Sequence, residues 1–211
     1  MLTGKIAAIT GGASGIGRGI AVAFSKCQAQ SIILDQNAEG ATAVVRGINE
    51  GGRSARALPV DVSSAEQVST AFAEIRKHTS KLDVLVNCAG TYIHKDAVTL
   101  DEADGDRCLS VNLKGAWLCA KQAIPMMVAA GGGSIINIGS THAVRAQGKA
   151  FPYGVSKGGL IALTRSLAVD FGRDSVRVNL ICPGFVMTPL TMELFSGPRR
   201  SRSYYPRGRC P

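Results

Sequence analysis

The stretch at residues 10–17, Thr-Gly-Gly-Ala-Ser-Gly-Ile-Gly, joins an apolar run that predicts a buried strand to a segment with helical spacing. Glycines in such a turn let the backbone bend sharply and approach a pyrophosphate, to which the helix N-terminus offers N–H donors. The spacing is G-x3-G-x-G, and no Lys-Ser/Thr follows it, which excludes a P-loop. A glycine-rich turn alone occurs as often in a purely structural connection as in a cofactor site. Its place between a strand and a helix favours a dinucleotide-binding site. Its candidate cofactor residues are Gly11, Ser14, Gly15, Ile16 and Gly17.

Apolar runs of strand length alternate with helical patterns along most of the chain. This alternation is typical of βαβ units, which build a parallel sheet with helices on both faces. It predicts an α/β fold with a doubly wound, Rossmann-like parallel sheet of six strands. We expect strands at residues 5–10, 31–35, 55–60, 82–86, 134–138 and 176–181. We expect helices at residues 16–26, 38–49, 64–78, 103–130 (with a break near residue 115) and 151–171, and no regular pattern after about residue 192.

The composition fits one globular domain. The chain has 211 residues and a mass of 22.0 kDa, with 45% hydrophobic and 18% charged residues. Disordered chains are less hydrophobic and more highly charged, and no apolar run approaches the ~20 residues of a transmembrane helix. The N-terminus lacks the pattern of a signal peptide. We therefore expect a cytoplasmic protein without membrane association, with a nucleotide-binding domain at residues 1–195 and a basic, disordered tail at residues 196–211.

The net charge of +9 is concentrated near one end of the chain. Residues 197–211 hold five arginines and no acidic residue, which leaves +4 for the rest. This is weak evidence that the body binds nucleic acid, and no nucleic-acid-binding motif accompanies it. The six cysteines form no C-x-x-C pair and no metal-binding spacing with histidine. We therefore expect reduced thiols, no metal site and no nucleic-acid partner.

An acidic residue, Asp35, closes the second predicted strand 18 residues beyond Gly17. A carboxylate at this place accepts hydrogen bonds from the adenosine ribose hydroxyls and repels the 2′-phosphate of NADP. No basic residue follows directly, because residues 36 and 37 are Gln and Asn. Asp35 could also be a solvated loop residue. Together with the glycine turn, it predicts NAD as the preferred cofactor.

Tyr153 and Lys157 share one face of a predicted helix, because they are spaced i and i+4. A nearby ammonium favours the phenolate form of tyrosine, which makes the phenol usable as a base near neutral pH. A two-residue pattern such as Tyr-x3-Lys can arise by chance, so this interpretation needs further motifs to support it.

Taken together, the motifs resemble the short-chain dehydrogenase/reductase family. The resemblance covers about residues 3–192, with every motif in family order. It rests on the turn at residues 10–17, Asn87-Cys88-Ala89-Gly90 after strand four, Asn112, Ser140 after strand five, Tyr153-x3-Lys157, and Pro183-Gly184 after strand six. The family usually has a second Asn where this chain has Cys88. That Asn is mainly structural in the family, so the departure leaves the implied chemistry intact.

The resemblance implies hydride transfer between NAD(H) and an alcohol or carbonyl compound, with a role for each motif. Tyr153 would be the general acid/base, Lys157 would support it and hold the nicotinamide ribose, and Ser140 would hydrogen-bond the reacting oxygen. Asn112 would fix a water of a proton relay behind the lysine. The further implied cofactor contacts are Asp61 with its neighbour Val62 at the adenine, Asn87, Ala89 and Gly90 at the adenosine ribose, and Thr188, after Pro183 and Gly184, at the nicotinamide amide.

Polar residues near the expected cleft bear on the substrate. His94 follows strand four, and His142 and Gln147 lie between the implied catalytic serine and tyrosine. A polar cleft suits a sugar or polyol better than a steroid, and an oxoacyl compound stays an alternative. Both histidines could equally be ordinary loop residues. If His142 contacts a polyhydroxy substrate, His142→Ala should raise the KM for it.

No motif of the family follows residue 192, where relatives have a further helix and a seventh strand. We expect an alternative or frameshifted C-terminus, the other interpretation being a basic extension that binds an acidic partner. Absence of the seventh strand would expose an edge of strand six, lower the melting temperature and weaken a homo-oligomer. Two functions stay open: an NAD-dependent oxidoreductase, or a catalytically impaired variant that binds cofactor or a partner.

Overall fold

Short runs rich in Ile, Val, Leu and Ala form the strands, because such side chains pack well on a pleated surface that helices cover on both faces. The computed structural model describes residues 2–195, with side chains to residue 192, so the predicted disordered tail at 196–211 lies outside the described residues. The strands are β1 (Ile6–Thr10), β2 (Gln30–Asp35), β3 (Ala55–Pro59), β4 (Val84–Asn87), β5 (Gly133–Ile138) and β6 (Val176–Ile181). The α-helices are α1 (Gly15–Lys26), α2 (Ala38–Glu50), α3 (Ala65–His78), α4 (Glu102–Leu109), α5 (Gly115–Ala129), α6 (Phe151–Phe171) and α7 (Pro189–Phe195).

The six strands form one parallel sheet in the order β3-β2-β1-β4-β5-β6. This confirms the predicted doubly wound α/β fold of Rossmann type. The chain builds outward from β1 to β3 and then returns to place β4 on the other side of β1. Ligands of open α/β sheets bind at such a reversal, outside the carboxyl ends of the strands.

Neighbouring residues of the central strands enter two different apolar cores, since successive side chains of a strand point to opposite faces. On one face, Ile9 and Ile33 pack with residues of α1 and α2. On the other face, Leu34 and Leu85 pack with residues of α3 and α5. All four side chains are fully buried. The two cores hold the carboxyl ends of β1 and β4 side by side, and these ends carry the loops of the site.

The long helix predicted at residues 103–130 is one helical rod with a change of pitch. A π-helical turn at Ser110–Lys114 connects α4 directly to α5. The predicted break near residue 115 therefore corresponds to the end of this turn. A Cβ atom at Gly115 would lie 2.8 Å from Cγ2 of Val62. Glycine thus lets the rod pack closely against the loop after β3.

Helix α7 was not predicted from the sequence. It begins at Pro189, which suits the first helical position because its missing N–H would have no partner there. The Thr188 hydroxyl accepts a hydrogen bond from the N–H of Thr191 at 3.3 Å, as an N-cap residue does. The Thr-Pro pair at residues 188–189 could therefore have indicated the start of a helix. It was overlooked because the seven residues of α7 show no clear helical periodicity. No helix within residues 2–195 is long and apolar enough to cross a membrane.

Candidate active site

A cleft of about 810 Å³ opens at the carboxyl ends of the strands, around the reversal between β1 and β4. Most of the predicted site residues line it, although they come from segments far apart in the chain. They are Gly11, Ser14, Gly15, Ile16, Gly17, Asp35, Asp61, Val62, Ala89, Gly90, Ser140, Tyr153, Lys157, Pro183, Gly184 and Thr188. Five predicted site residues do not line this cleft: Asn87, His94, Asn112, His142 and Gln147.

The glycine turn presents bare backbone to the cleft. Gly11 and Gly15 have φ values of +66° and +51°, which glycine adopts without strain. A Cβ atom at Gly11 would lie 2.8 Å from Cα of Ala89, and one at Gly17 would lie 2.2 Å from the carbonyl oxygen of Gly11. Side chains at these positions would fill the floor of the cleft and separate the turn from α1. The turn therefore forms a cradle against the helix N-terminus that fits a pyrophosphate.

Thr10 connects the glycine turn to the loop after β4. Its hydroxyl oxygen accepts hydrogen bonds from the backbone N–H groups of Cys88 and Ala89, both at 3.0 Å. Thr10 is buried, so these bonds are shielded from water. The side chain thus sets the distance between the two loops that form opposite walls of the cleft.

Asp35 lies at the end of β2, beside the glycine turn. One carboxylate oxygen accepts the backbone N–H of Ala13 and the other accepts that of Asn37, both at 2.9 Å. These two bonds hold the carboxylate at the cleft wall, and each oxygen has further lone pairs for a ligand. Residues 36 and 37, which also line the cleft here, are uncharged.

Asp61 and Val62 line the cleft directly after β3, the strand that pairs with β2. The Asp61 carboxylate accepts hydrogen bonds from the backbone N–H and the hydroxyl of Ser63, at 2.9 and 2.7 Å. Val62 is buried against Gly115. The pair therefore offers a fixed polar group beside an apolar surface, a combination typical of small-molecule sites.

Lys157 reaches the cleft from α6 and is held by a main-chain oxygen. Its ammonium donates a hydrogen bond to the Ile138 carbonyl at 2.8 Å and lies 5.6 Å from the centre of the Tyr153 ring. Burial lowers the pKa of Lys157 to about 8. The predicted pairing of these two side chains on one helical face is therefore observed, with the lysine beneath the tyrosine ring.

Asn112 lies in the π-helical turn, behind the cleft wall. Its amide oxygen accepts the N–H of Thr91 at 2.7 Å. Its amide nitrogen donates to the Thr91 carbonyl and to the Ser156 hydroxyl, both at 2.9 Å. The side chain thus joins the loop after β4 to helix α6 next to Lys157. The resemblance implied that Asn112 fixes a water of a proton relay behind the lysine, and that role stays a prediction.

Asn87, which the resemblance places at the adenosine ribose, has a side chain that does not line the cleft. Its side chain is buried between β4 and β5, where its amide nitrogen donates to Asn137 at 2.9 Å and to the Ala116 carbonyl at 3.2 Å. Asn137 in turn donates to the Thr164 hydroxyl of α6 at 2.9 Å. Because the last residue of β4 points into the interior, the neighbouring Cys88 faces the cleft instead. Burial raises the pKa of the Cys88 thiol to about 11.

The three predicted substrate residues gather next to Ser140 and Tyr153, beyond the cofactor-sized cleft. His142 lies edge-on to the Tyr153 ring with centroids 5.6 Å apart, and Tyr92 packs on the same ring at 4.8 Å. His94 stacks on Tyr92 at 6.4 Å. Gln147 contacts the far nitrogen of His142 at 2.5 Å. The tyrosine ring therefore lies between the cleft, which it lines, and a cluster of aromatic and imidazole side chains.

The segment that follows β6 covers the glycine turn. A Cβ atom at Gly15 would lie 3.2 Å from the side chain of Thr188, so the two loops are in close contact. Thr188 is fixed by the Thr191 hydroxyl, whose oxygen lies 3.1 Å from the Thr188 hydroxyl oxygen. The predicted residues Pro183 and Gly184 lie at the start of this segment and line the cleft.

Several residues that line the cleft were not predicted from the sequence. Arg107 and Val111 line the cleft from the rod of α4 and the π-helical turn, one helical turn apart. Val111 lies directly before Asn112, so its closeness to that motif could have suggested that it lies near the cleft. Arg107 belongs to no motif, and only packing of the rod against the sheet places it here. Within residues 2–195, no three His, Cys, Asp or Glu side chains come together as metal ligands would.

A doubly wound sheet, a glycine cradle at its reversal and an acidic residue at the end of β2 define a nucleotide-binding α/β protein. The model of the short chain dehydrogenase family matches residues 5–199. The chain therefore belongs to the short-chain dehydrogenase/reductase family, whose members are oxidoreductases that use NAD(P).

The relatives are named for reactions on different substrates. The chain is 36% identical over 198 residues to D-threitol dehydrogenase of Mycolicibacterium smegmatis, covering 94% of this chain and 76% of the relative. It is 34% identical over 192 residues to the human 3-oxoacyl-[acyl-carrier-protein] reductase, covering 90% and 79%. A solved structure from Beutenbergia cavernae superposes with a TM-score of 0.87, at 32% identity, over 92% of this chain and 77% of that one. It is provisionally named an NAD(P)-dependent gluconate 5-dehydrogenase and holds NADP at low occupancy.

Proposed function

We propose that the protein is an NAD-dependent dehydrogenase of polyols or related polyhydroxy compounds, in which Tyr153 exchanges a proton with the substrate oxygen. The observation that carries this proposal is the buried Lys157 held beneath the Tyr153 ring, at the mouth of a cleft floored by bare glycine backbone. Bound NAD would supply the acceptor for the hydride that leaves the substrate carbon. The chain's own residues supply position and proton transfer.

The glycine cradle, Asp35 and Lys157 would hold the cofactor. Backbone N–H groups at the start of α1 face a pyrophosphate, and Asp35 faces the adenosine ribose hydroxyls. Asp61 and Val62 suit the adenine, while Ala89 and Gly90 border the ribose from the opposite wall. Thr188, which contacts Gly15, is suited to bind the carboxamide of the nicotinamide.

Proton transfer depends on the charge beneath the tyrosine. An ammonium close to a phenol favours the phenolate, which can accept the hydroxyl proton of an alcohol during oxidation and return it during reduction. The carbonyl of Ile138 holds the Lys157 ammonium close to the Tyr153 ring. Asn112 supports the same helix through Ser156 and is proposed to anchor the relay behind the lysine.

The preference for NAD over NADP rests on the charge at the end of β2. A 2′-phosphate would lie beside the Asp35 carboxylate, which the N–H groups of Ala13 and Asn37 keep in place. Like charges at this distance repel, and no basic side chain among the lining residues follows Asp35 directly. The NADP seen in the Beutenbergia cavernae relative makes this preference a point to be measured.

The proposed substrate class rests on the side chains that gather beside Tyr153. They include Tyr92, His94 and His142, which present aromatic and imidazole rings rather than a broad aliphatic surface. Such surroundings suit a small molecule with several hydroxyl groups. D-threitol dehydrogenase among the relatives supports this choice. An oxoacyl substrate, as named for the human relative, is the alternative.

The first test titrates the full chain with NADH and, in parallel, with NADPH, and monitors binding by fluorescence. The second test measures turnover with D-threitol, glycerol, gluconate and an oxoacyl thioester. We expect tighter NADH binding and turnover of a polyol. Tyr153→Phe keeps the ring contacts with Tyr92 and His142 but removes the hydroxyl, so it should bind NADH normally and lose turnover. Binding of neither cofactor by the folded wild type would instead favour the non-catalytic, partner-binding alternative.

A further inference from the structure

One side of the helical rod formed by α4, the π-helical turn and α5 supplies a wall of the cleft. Arg107, Val111 and Gly115 follow one another at intervals of four residues, so they lie on the same side of the rod. Gly115 is buried and packs against the buried Val62. Val111 is half-buried and Arg107 is exposed, and both line the cleft. This wall therefore runs from an apolar interior to a charged rim.

The guanidinium of Arg107 is not engaged by the acidic residues around it. Asp104, three residues earlier on α4, pairs with the ammonium of Lys95 at 3.0 Å. The Asp61 carboxylate, which also lines the cleft, accepts hydrogen bonds from the N–H and the hydroxyl of Ser63. In the described part of the chain, no carboxylate forms an ion pair with Arg107. Its planar group with five N–H donors is therefore available to a ligand in the cleft.

The surroundings of Arg107 suit the base of the cofactor rather than its phosphates. The glycine cradle, which fits a pyrophosphate, packs against Ala89 and Thr188 and not against the rod. The wall beside Arg107 instead carries the apolar side chains of Val62 and Val111. Apolar surface and a guanidinium plane both favour the flat face of an aromatic ring, since the cation is attracted to the π electrons.

We propose that Arg107 is a cofactor-binding residue whose guanidinium plane covers the adenine at the rim of the cleft. This inference rests on the proposed function, because it requires NAD in the cleft. The base would lie against the apolar surface of Val62 and Val111, with Arg107 closing the solvent side. Arg107 thereby contributes affinity for the adenosine half of the cofactor and takes no part in proton or hydride transfer.

The first experiment measures the Kd of NADH by fluorescence in the wild type and three variants. Arg107→Met keeps a long apolar side chain but removes the charge and the plane, so NADH should bind about three- to fivefold more weakly. Arg107→Lys keeps only the charge and should show most of this loss. Lys114→Met removes the same charge from an exposed position of the rod outside the cleft lining and should bind NADH as the wild type does. The turnover of Arg107→Met at saturating NAD should stay within about twofold of the wild-type value.

The second experiment detects the contact itself with ADP-ribose, which carries the adenine but no nicotinamide and requires no turnover. In protein with ¹³C-labelled arginine, Arg107→Lys identifies the Cδ methylene signal of Arg107. Protons above the face of an aromatic ring shift upfield, whereas protons beside its edge shift downfield. We expect an upfield shift of this signal with ADP-ribose and no such shift with inorganic pyrophosphate.

Several results would overturn this inference and leave the proposed function standing. They are unchanged NADH affinity in Arg107→Met, full affinity in Arg107→Lys, an equal loss in Lys114→Met, and a downfield or absent shift with ADP-ribose. A much larger loss of NADPH than of NADH affinity in Arg107→Met would also overturn it, because the guanidinium would then serve the 2′-phosphate. Binding of neither NADH nor ADP-ribose by the folded wild type would overturn the proposed function, and this inference with it.

Discussion

The ammonium of Lys157 donates a hydrogen bond to the carbonyl oxygen of Ile138 at 2.8 Å, in a place where only 4% of the lysine is exposed. Burial disfavours the charged form and lowers the lysine pKa from 10.5 to about 8. The folded protein therefore binds fewer protons here than the unfolded chain between about pH 8 and 10.5. The site keeps a charge that costs folding free energy at neutral pH.

Replacement of this lysine should separate stability from activity. Below about pH 8 both states are protonated and the full penalty applies, whereas above 10.5 both are neutral and the penalty disappears. Lys157→Met should raise the free energy of unfolding at pH 7 by roughly 1–2 kcal/mol, after allowance for the unpaired Ile138 carbonyl. The gain should shrink as pH rises to 10, and turnover should be lost. Urea unfolding at both pH values checks this; a destabilised variant at pH 7 would contradict it.

Removal of the Thr10 hydroxyl should weaken the walls of the cleft. Thr10→Val has nearly the same shape but leaves the N–H groups of Cys88 and Ala89 without their acceptor. We expect a loss of about 2 kcal/mol in unfolding free energy, since each unpaired buried donor is costly. Thr10→Ser keeps the acceptor and is the control, with a loss under about 1 kcal/mol. Chemical denaturation of both variants provides the measurement, and a loss for Thr10→Val no greater than that for Thr10→Ser would show that the hydroxyl contributes little.

Two glycines of the same helix should respond oppositely to alanine. A Cβ atom at Gly17 would lie 2.2 Å from the Gly11 carbonyl oxygen, whereas one at Gly19 meets nothing within 4 Å. Gly17→Ala should therefore cost about 1–3 kcal/mol and abolish NADH binding, because the turn must move. Gly19→Ala should stabilise the protein by about 0.5–1 kcal/mol through helix propensity, with binding intact. Melting curves and NADH titrations of both variants give the comparison, and normal cofactor binding by Gly17→Ala would refute the cradle.

Neutralising Asp35 should change which cofactor is preferred. Asp35→Ala removes a charged acceptor of the ribose hydroxyls and the repulsion toward a 2′-phosphate. We expect NADH affinity to fall roughly tenfold and NADPH affinity to rise by a similar factor. Glu39→Ala, an exposed residue in the first turn of α2, removes the same charge outside the cleft lining and is the control. Parallel changes in the two variants would mean that only long-range charge matters.

The wild-type chain should show a pH-dependent turnover that follows its acid/base group. Because the Lys157 ammonium favours the phenolate of Tyr153, kcat/KM for polyol oxidation should fall as pH decreases and the phenol takes up a proton. Asn112→Leu, which cuts the bond to Ser156 behind the lysine, should move this fall to higher pH while NADH still binds. Initial rates between pH 5 and 10 provide the measurement. An unshifted profile would remove Asn112 from the proposed relay.

Motif order and apolar periodicity were enough to predict the sheet, its six strands and the residues of the glycine turn. These features are local or nearly so, because strand burial and a tight βα turn impose their residue types on short stretches. Helix α7 escaped because its seven residues show no period, and the π-helical turn escaped because a change of pitch leaves no pattern in the side chains. The inward direction of the Asn87 side chain was not predicted, because a motif names a residue without giving the face of the strand on which it lies.

The sequence by itself determined the family, the parallel sheet and the identity of the groups that meet at its carboxyl edge, since each is written in a short motif next to a strand. Only the tertiary structure decided how those groups are oriented. Packing between β4, β5 and α6 turned Asn87 inward, buried Lys157 against Ile138, and brought Gln147 and His142 to Ser140. Such contacts join loops distant in the chain, and their geometry depends on the combined packing of both cores rather than on any local stretch.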